Sequence, residues 1–339
     1  MKRIMSLLVV LGIVGLTVVP TATAAQPKIA NIGTHAVGSF FNVVGNSVGA
    51  IISKHTPIKA KVMPVGISSW MPRMATGEMD LGVLNSTDAR WGYSGSESYE
   101  KLSKGKGFPI RLLLTGICND VSIVVRGDLP VRKPSDLKGL SIAAGFAKAP
   151  ACQLQTTAVL ANGDLTWDDV KMVPVPAPAA SVKAVLEGRS DAAGTATTGM
   201  PAVEELAAKK GARFISLDPS PEAKARALEA YPDGLFNLIK AGKYTGVDED
   251  SWLLRYEIYV AVRKDFPDEA VREILKAMWD FNNELPSYHK KFKEWSREGY
   301  ASKHLTIPYH PAAVSFLKEK GLWTKALEAR QGELLAKKK

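Results

Sequence analysis

The residues best able to do chemistry in this 339-residue chain are five histidines and two cysteines. Their spacing argues against chemistry. His35, His55, His289, His304 and His310 include no pair at metal-ligand helical spacing, and neither Cys118 nor Cys152 has a C-x-x-C partner. The stretch "ANIGTHAVGSFFNVVGNSVGAII", from Ala30, lacks the G-x-G-x-x-G of a dinucleotide site. No P-loop pattern and no G-x-S-x-G elbow occurs. The expectation is therefore no metal, no cofactor and no catalysis.

Hydrogen-bonding chemistry remains. Thr34, His35 and Ser39 sit on "GTHAVGS", Gly66, Ser68 and Ser69 on "GISSW", and Asn85 and Ser86 on "NSTDARW". Lys148 lies on "FAKAPA", and Thr195, Thr197 and Thr198 on "TATTG". Such donors suit a small carboxylate, and Lys148 adds a full charge. A His35 contact to an anion would weaken as pH rises through its titration. Turn and cap formation competes for the small polar side chains. Phe40, Trp70, Trp91 and Phe146 could supply aromatic walls, because Trp70 and Trp91 fall on predicted polar loops. An arginine fork grips a carboxylate best. Arg73 and Arg90 are candidates, with a solvated helix face as the alternative for each.

An internal echo supplies the elements that would position these loops. "KVMPVGISSWMPRMATGEMDLGVLNST" from Lys61 and "KMVPVPAPAASVKAVLEGRSDAAGTATT" from Lys171 share a β-like run, loop, helix, Gly-x-x-Asp, apolar strand and polar loop. Gly77 and Asp80 correspond to Gly188 and Asp191. Glycine closes a helix by accepting the left-handed conformation. Strands alternating with helices imply parallel sheets, so two α/β lobes with a cleft between them are expected. Phe40, Val44, Val48 and Ile51 recur at helical spacing. Ser39 is the predicted N-cap of that helix, and Gly45 and Gly49 are predicted to let it pack closely on a sheet. The chain is expected to cross between lobes near Thr115 to Val121 and again near residues 215–240. "DEAVREILKAMWDFNNEL" has strong helical periodicity, in a C-terminal portion expected to return to the first lobe.

Lys2 and Arg3 precede an apolar run from Ile4 to about Val19, followed by "PTATAA". This predicts a cleaved secretory signal over residues 1–25 and an exported, periplasmic protein. The formal charge of +10 falls to +8 without Lys2 and Arg3 (10 − 2). That excess suits either solubility or an anionic ligand. No basic run is interleaved with aromatics, so nucleic acid is not an expected partner. Two cysteines leave a disulfide and two free thiols both open.

Taken in order, "IGTHAVGSFFNVVG", "MATGEMDLGVLNS", "DLKGLSIAAG", "AGKYTGVDED" and "IPYHPAAVSFLKEKGLW" make the chain resemble the TAXI family, the periplasmic solute-binding proteins of TRAP-type transporters. The resemblance implies a two-lobed periplasmic-binding-protein fold of type II-like organisation, α/β with a parallel or mixed sheet in each lobe and a ligand cleft between them. It implies lobe I at 26–117, lobe II at 118–230, and a return to lobe I with C-terminal helices at 231–339. It further implies a monomer that delivers a small organic anion to TRAP membrane permease subunits. The alternatives are a sensor partner presenting ligand to a membrane receptor, and an enzyme on the same fold. The chain departs from the family pattern at "VGISSW", where Ile67 and Trp70 replace a serine and an asparagine. It departs again at "FAKAPACQ", where Lys148, Ala149 and Pro150 replace glycines, and at Asn85-Ser86-Thr87. The solute need not be glutamate.

Overall fold

The computed structural model describes residues 27–302 and 304–337. The expected signal segment lies outside the described residues. From the N-terminus the chain runs β1 (Ile29–Gly33), α1 (Phe40–His55), β2 (Lys59–Met63), α2 (Ile67–Trp70), β3 (Leu81–Asn85), α3 (Ser86–Ser94), α4 (Glu100–Ser103) and β4 (Ile110–Arg126). It continues β5 (Ser141–Ala144), α5 (Pro150–Asn162), β6 (Lys171–Pro174), α6 (Pro178–Leu186), β7 (Ala192–Thr197), α7 (Pro201–Lys210), β8 (Ala212–Phe214), α8 (Pro221–Ala230), β9 (Leu235–Ile239) and β10 (Ser251–Arg263). Four helices follow: α9 (Asp268–Asp280), α10 (Leu285–Tyr288), α11 (Pro311–Glu319) and α12 (Lys325–Ala336). No helix among the described residues is long and apolar enough to cross a membrane.

All ten strands join one sheet with the path β2-β1-β3-β10-β4-β7-β5-β6, with β8 on β4 and β9 on β10. The two ends are parallel triplets, β2-β1-β3 and β6-β5-β7. The long antiparallel pair β4 and β10 joins them. This is the expected two-lobed α/β arrangement with a mixed sheet. β10 pairs with β3 over Ile258–Val262 and with β9 over Ser251–Arg255. β4 pairs with β7 from Val121 onward. Strand pairing passes from one end of the sheet toward the other near Ile117–Val121 on β4 and near Arg255–Ile258 on β10.

The internal echo has a structural counterpart. Asp80 accepts from the backbone N–H of Asn31 at 2.9 Å, and Asp191 accepts from that of Ser141 at 2.9 Å. Each carboxylate thus pins the first strand of its lobe to the last. Gly77 and Gly188 both hold positive φ, +76° and +74°, where a side chain would be strained. The predicted helix is α1, and Ser39 caps it by accepting from Asn42 N–H at 3.2 Å. Gly45 lies against Thr34, and Gly49 against Ala60 and Val62. That close approach is what the glycine pair was expected to permit.

Trp70 departs from expectation. It closes the helical turn α2 and is fully buried, rather than standing on a polar loop. A Cβ on Gly33 or Gly82 would lie 2.3 Å or 2.2 Å from its indole. Two neighbouring strands therefore give up side chains to seat one large ring. Trp91 is likewise core, because "NSTDARW" forms α3 rather than a loop. Phe146 is also buried. All three aromatics fill the interior. Overpacking so tight a seat costs roughly 1–3 kcal/mol. Gly82→Ala is expected to lose that much stability in urea unfolding. Gly332→Ala, in α12 with open space around it, should be neutral or stabilising by up to about 1 kcal/mol.

Candidate functional site

The turn after β1 spends most of its polar groups on itself. Thr34 Oγ1 donates to the His35 carbonyl at 2.9 Å and accepts from Asn42 Nδ2 at 3.0 Å. Ser39 Oγ donates to the Ala36 carbonyl at 2.7 Å. Neither is free to aim a donor at a cleft. His35 differs. Its ring stacks on Phe41, with centroids 4.3 Å apart, and its Nε2 is buried without a hydrogen-bond partner. Burial lowers its pKa to about 4, so the imidazole is neutral near pH 7. The expected charge-dependent contact is thereby replaced by a neutral donor or acceptor.

A cavity of about 420 Å³ lies beside this ring. First-lobe residues His35, Gly66, Ser69 and Arg73 line it, together with Lys148 and Ala177 from the second lobe. The rest of the lining is Ala36, Pro64 and Val65. The lobes meet at its rim. The Lys148 side chain comes within 3.1 Å of where a Cβ on Gly66 would stand, and Ser68 Oγ donates to the Ala147 carbonyl at 3.4 Å. The Gly66 N–H is already engaged by the Thr34 carbonyl at 3.0 Å. No carboxylate lines the cavity. Among the described residues, neither Arg73 nor Lys148 has a salt-bridge partner.

The other expected residues are placed elsewhere. Arg90 bridges the lobes through Asp233 at 2.8 Å. Asn85 caps α3, accepting from Asp88 N–H at 2.7 Å. The carbonyl of buried Ser86 accepts from Thr306 at 2.9 Å. Thr195 bonds the Cys152 carbonyl at 2.8 Å inside the second lobe, and Thr197 is buried at the end of β7. Both cysteines are free, and burial raises both thiols. Phe40 is buried beneath Lys291, whose Nζ is 4.9 Å from its ring centroid.

Lys291 itself is a residue that sequence reasoning missed. It is fully buried, and burial lowers its pKa to about 8. Its Nζ donates to Thr198 Oγ1 at 2.6 Å and to Asn119 Oδ1 at 3.0 Å. It thereby ties the return segment to both the crossing strand β4 and the second lobe. Only the run "HKKFKEW" marks it, and that run reads as a solvated basic face.

A hollow of about 500 Å³ lies between the second lobe and the return segment, along Gly127, Arg213, Lys243 and Lys290. Its lysines are neutralised, Lys243 by Glu294 at 3.0 Å and Lys290 by Glu204 at 3.4 Å. Arg213 donates to the carbonyls of Leu129 and Gly127. Arg213 Nε is left buried without a partner, but Asp248 also lines this hollow, whereas no carboxylate lines the interlobe cavity.

The fold is similar to that of a solved periplasmic transporter protein, 14% identical, with a TM-score of 0.55 over 91% of this chain and 98% of that one. More distant are the alkanesulfonate-binding protein SsuA from Xanthomonas axonopodis pv. citri bound to MOPS, and an ancestral arginine-binding protein bound to arginine. The first is 15% identical, with a TM-score of 0.45 over 89% of this chain and 96% of that one. The second is 16% identical, with a TM-score of 0.46 over 80% and 99%. At those scores neither bears on the solute. Residues 32–321 match one family model along most of the described chain, and the protein belongs to the NMT1-like family.

Proposed function

We propose that the chain is an exported, periplasmic solute-binding protein that captures a small organic anion and hands it to a membrane permease of the TRAP type, as a TAXI-like subunit. It acts as a monomer and as a binder rather than an enzyme. The carrying observation is the interlobe cavity, with two unpaired cations and no carboxylate on its lining. An anion there would meet Arg73 from one lobe and Lys148 from the other, so binding favours closure. Neutral His35 Nε2 and Ser69 would complete its hydrogen bonds. Ala36, Pro64, Val65 and Ala177 would cover a short apolar part of the solute. On this reading lobe I holds the chain up to about 117 and from about 256 onward. Lobe II lies between them, its end later than the 230 first expected.

A thermal-shift screen of carboxylates, sulfonates, amino acids and neutral compounds tests the reading, because a ligand bound only to the folded state raises its melting temperature. Organic anions should raise melting and neutral compounds should not; the reverse pattern overturns it. For the best anion, Arg73→Ala should weaken binding by about ten- to a hundredfold. Lys148→Ala should cost about tenfold, since Lys148 is exposed and screened.

His35 gives a pH prediction that needs no solute. Its folded pKa, about 4, lies below its ordinary 6.5. The unfolded chain takes up that proton first as pH falls. The stability at stake is intact above pH 6.5 and is lost between about 6.5 and 4, up to roughly 3 kcal/mol. The Asp88 carboxyl, which burial raises to about 6, acts in the opposite sense over part of this range. The difference between parent and His35→Asn, measured by urea unfolding from pH 7 to pH 4, therefore isolates the effect. The parent should lose more stability than the variant; parallel profiles would refute it.

A further inference from the structure

Most main-chain acceptors on the lining of the interlobe cavity are already spent. A carbonyl oxygen offers two lone pairs. The Ala36 carbonyl accepts from Ser39 N–H at 3.1 Å and from Ser39 Oγ at 2.7 Å. That of Gly66 accepts from the N–H groups of Ser69 and Trp70, both at 3.1 Å. That of Ala177 accepts from Ala180 N–H at 3.0 Å and Ser181 N–H at 3.2 Å. The Arg73 carbonyl accepts from the N–H groups of Glu78 at 3.0 Å and Met79 at 3.2 Å, and from the Thr76 hydroxyl at 3.1 Å.

Donors on the same lining are in surplus. Arg73 and Lys148 only donate, and no carboxylate lines the cavity. Ala177 is the N-cap of α6, which has no side-chain cap and no acid in its first turn. The helix dipole makes that end positive as well. Ser69 Oγ and His35 Nε2 are the side-chain atoms on the lining able to accept. His35 Nε2 is the buried one, and it has no partner within the protein.

We propose that the solute is an organic acid whose polar groups accept hydrogen bonds and that carries no ammonium group. A keto acid then binds, and the α-amino acid on the same carbon skeleton is rejected. This rests on the anion-capturing role proposed above and names the chemical class within it. An α-ammonium group in the cavity would lie among two cations and a positive helix end. Its donors would trade water for a lining poor in acceptors, and a charge buried without an opposite partner is costly. A keto oxygen in the same place would accept from Arg73, from Lys148 or from the Nε2–H tautomer of His35. Selectivity thus comes from what the lining withholds as much as from what it offers.

Isothermal calorimetry on the full mature chain tests this with pairs of acids on one skeleton. The pairs are α-ketobutyrate with α-aminobutyrate, α-ketoglutarate with glutamate, and α-ketoisocaproate with leucine. In the pair that binds most tightly, the keto acid should bind at least about tenfold tighter than its amino counterpart. Equal binding, or tighter binding of the amino acid, overturns the inference and leaves the anion reading standing. Binding of neither acid in any pair also overturns it, while the thermal-shift screen decides the anion reading separately. Ser69→Asp adds a carboxylate to the lining and should narrow the preference by about tenfold, strengthening the amino acid and weakening the keto acid. A folded Ser69→Asp that keeps the parent's preference counts against the proposal. If Ser69→Asp does not fold, Ala177→Asp is read in the same way, because aspartate is a favoured N-cap.

Discussion

The antiparallel ladder between β4 and β10 is the constraint on which the rest depends. Each strand is long enough to serve both lobes, and their register runs from Leu254–Val121 to Arg263–Ile110. Buried backbone groups must stay paired, so the lobes cannot separate without twisting this ladder. At the crossing, Arg255 grips buried Asp120 with Nε at 2.8 Å and Nη2 at 3.1 Å. Asn237 on β9 adds a third bond to the same carboxylate at 3.0 Å. A register shift between Ile258 and Val260 follows immediately on the first-lobe side. A stapled crossing thus lies next to an irregular one.

With the crossing set, the lobe faces meet through three kinds of contact. α3 provides directed bonds, from Thr87 to Tyr231 and from Arg90 to Asp233. Lys291 provides a buried ammonium shared by Asn119 and Thr198 over the Phe40 ring. The loops around Gly66 and Lys148 provide the cavity. The first two give the charged groups they bury hydrogen-bond partners. The third carries Arg73 and Lys148 with no carboxylate on its lining.

The residue classes sorted by reach. Thr34, Ser39, Asn85 and Thr195 are short polar side chains beside backbone ends, and each is taken by a cap or a carbonyl. Arg73 and Lys148 have long stems that carry charge past the local backbone into open space. Trp70, Trp91 and Phe146 looked like walls because the surrounding letters are polar and small. Those letters are helix starts and glycine seats instead. Gly33 and Gly82, on neighbouring strands, are the sockets of the Trp70 ring.

The sequence by itself determined the periodic and local features. The α1 helix with its Ser39 cap, the glycine packing of that helix, the repeated strand–helix–strand unit with its Gly-x-x-Asp, and the two-lobed α/β class all follow from spacing a few residues long. It also placed His35, Gly66, Ser69 and Lys148 on loops that do converge. Only the tertiary structure decided which polar groups remain unpaired after folding, because that depends on partners far away in the chain. Asp233 claims Arg90, Tyr231 claims Thr87, and Thr198 claims Lys291, across 143, 144 and 93 residues. No local pattern encodes such pairings. They arise when two lobes are docked through one shared ladder.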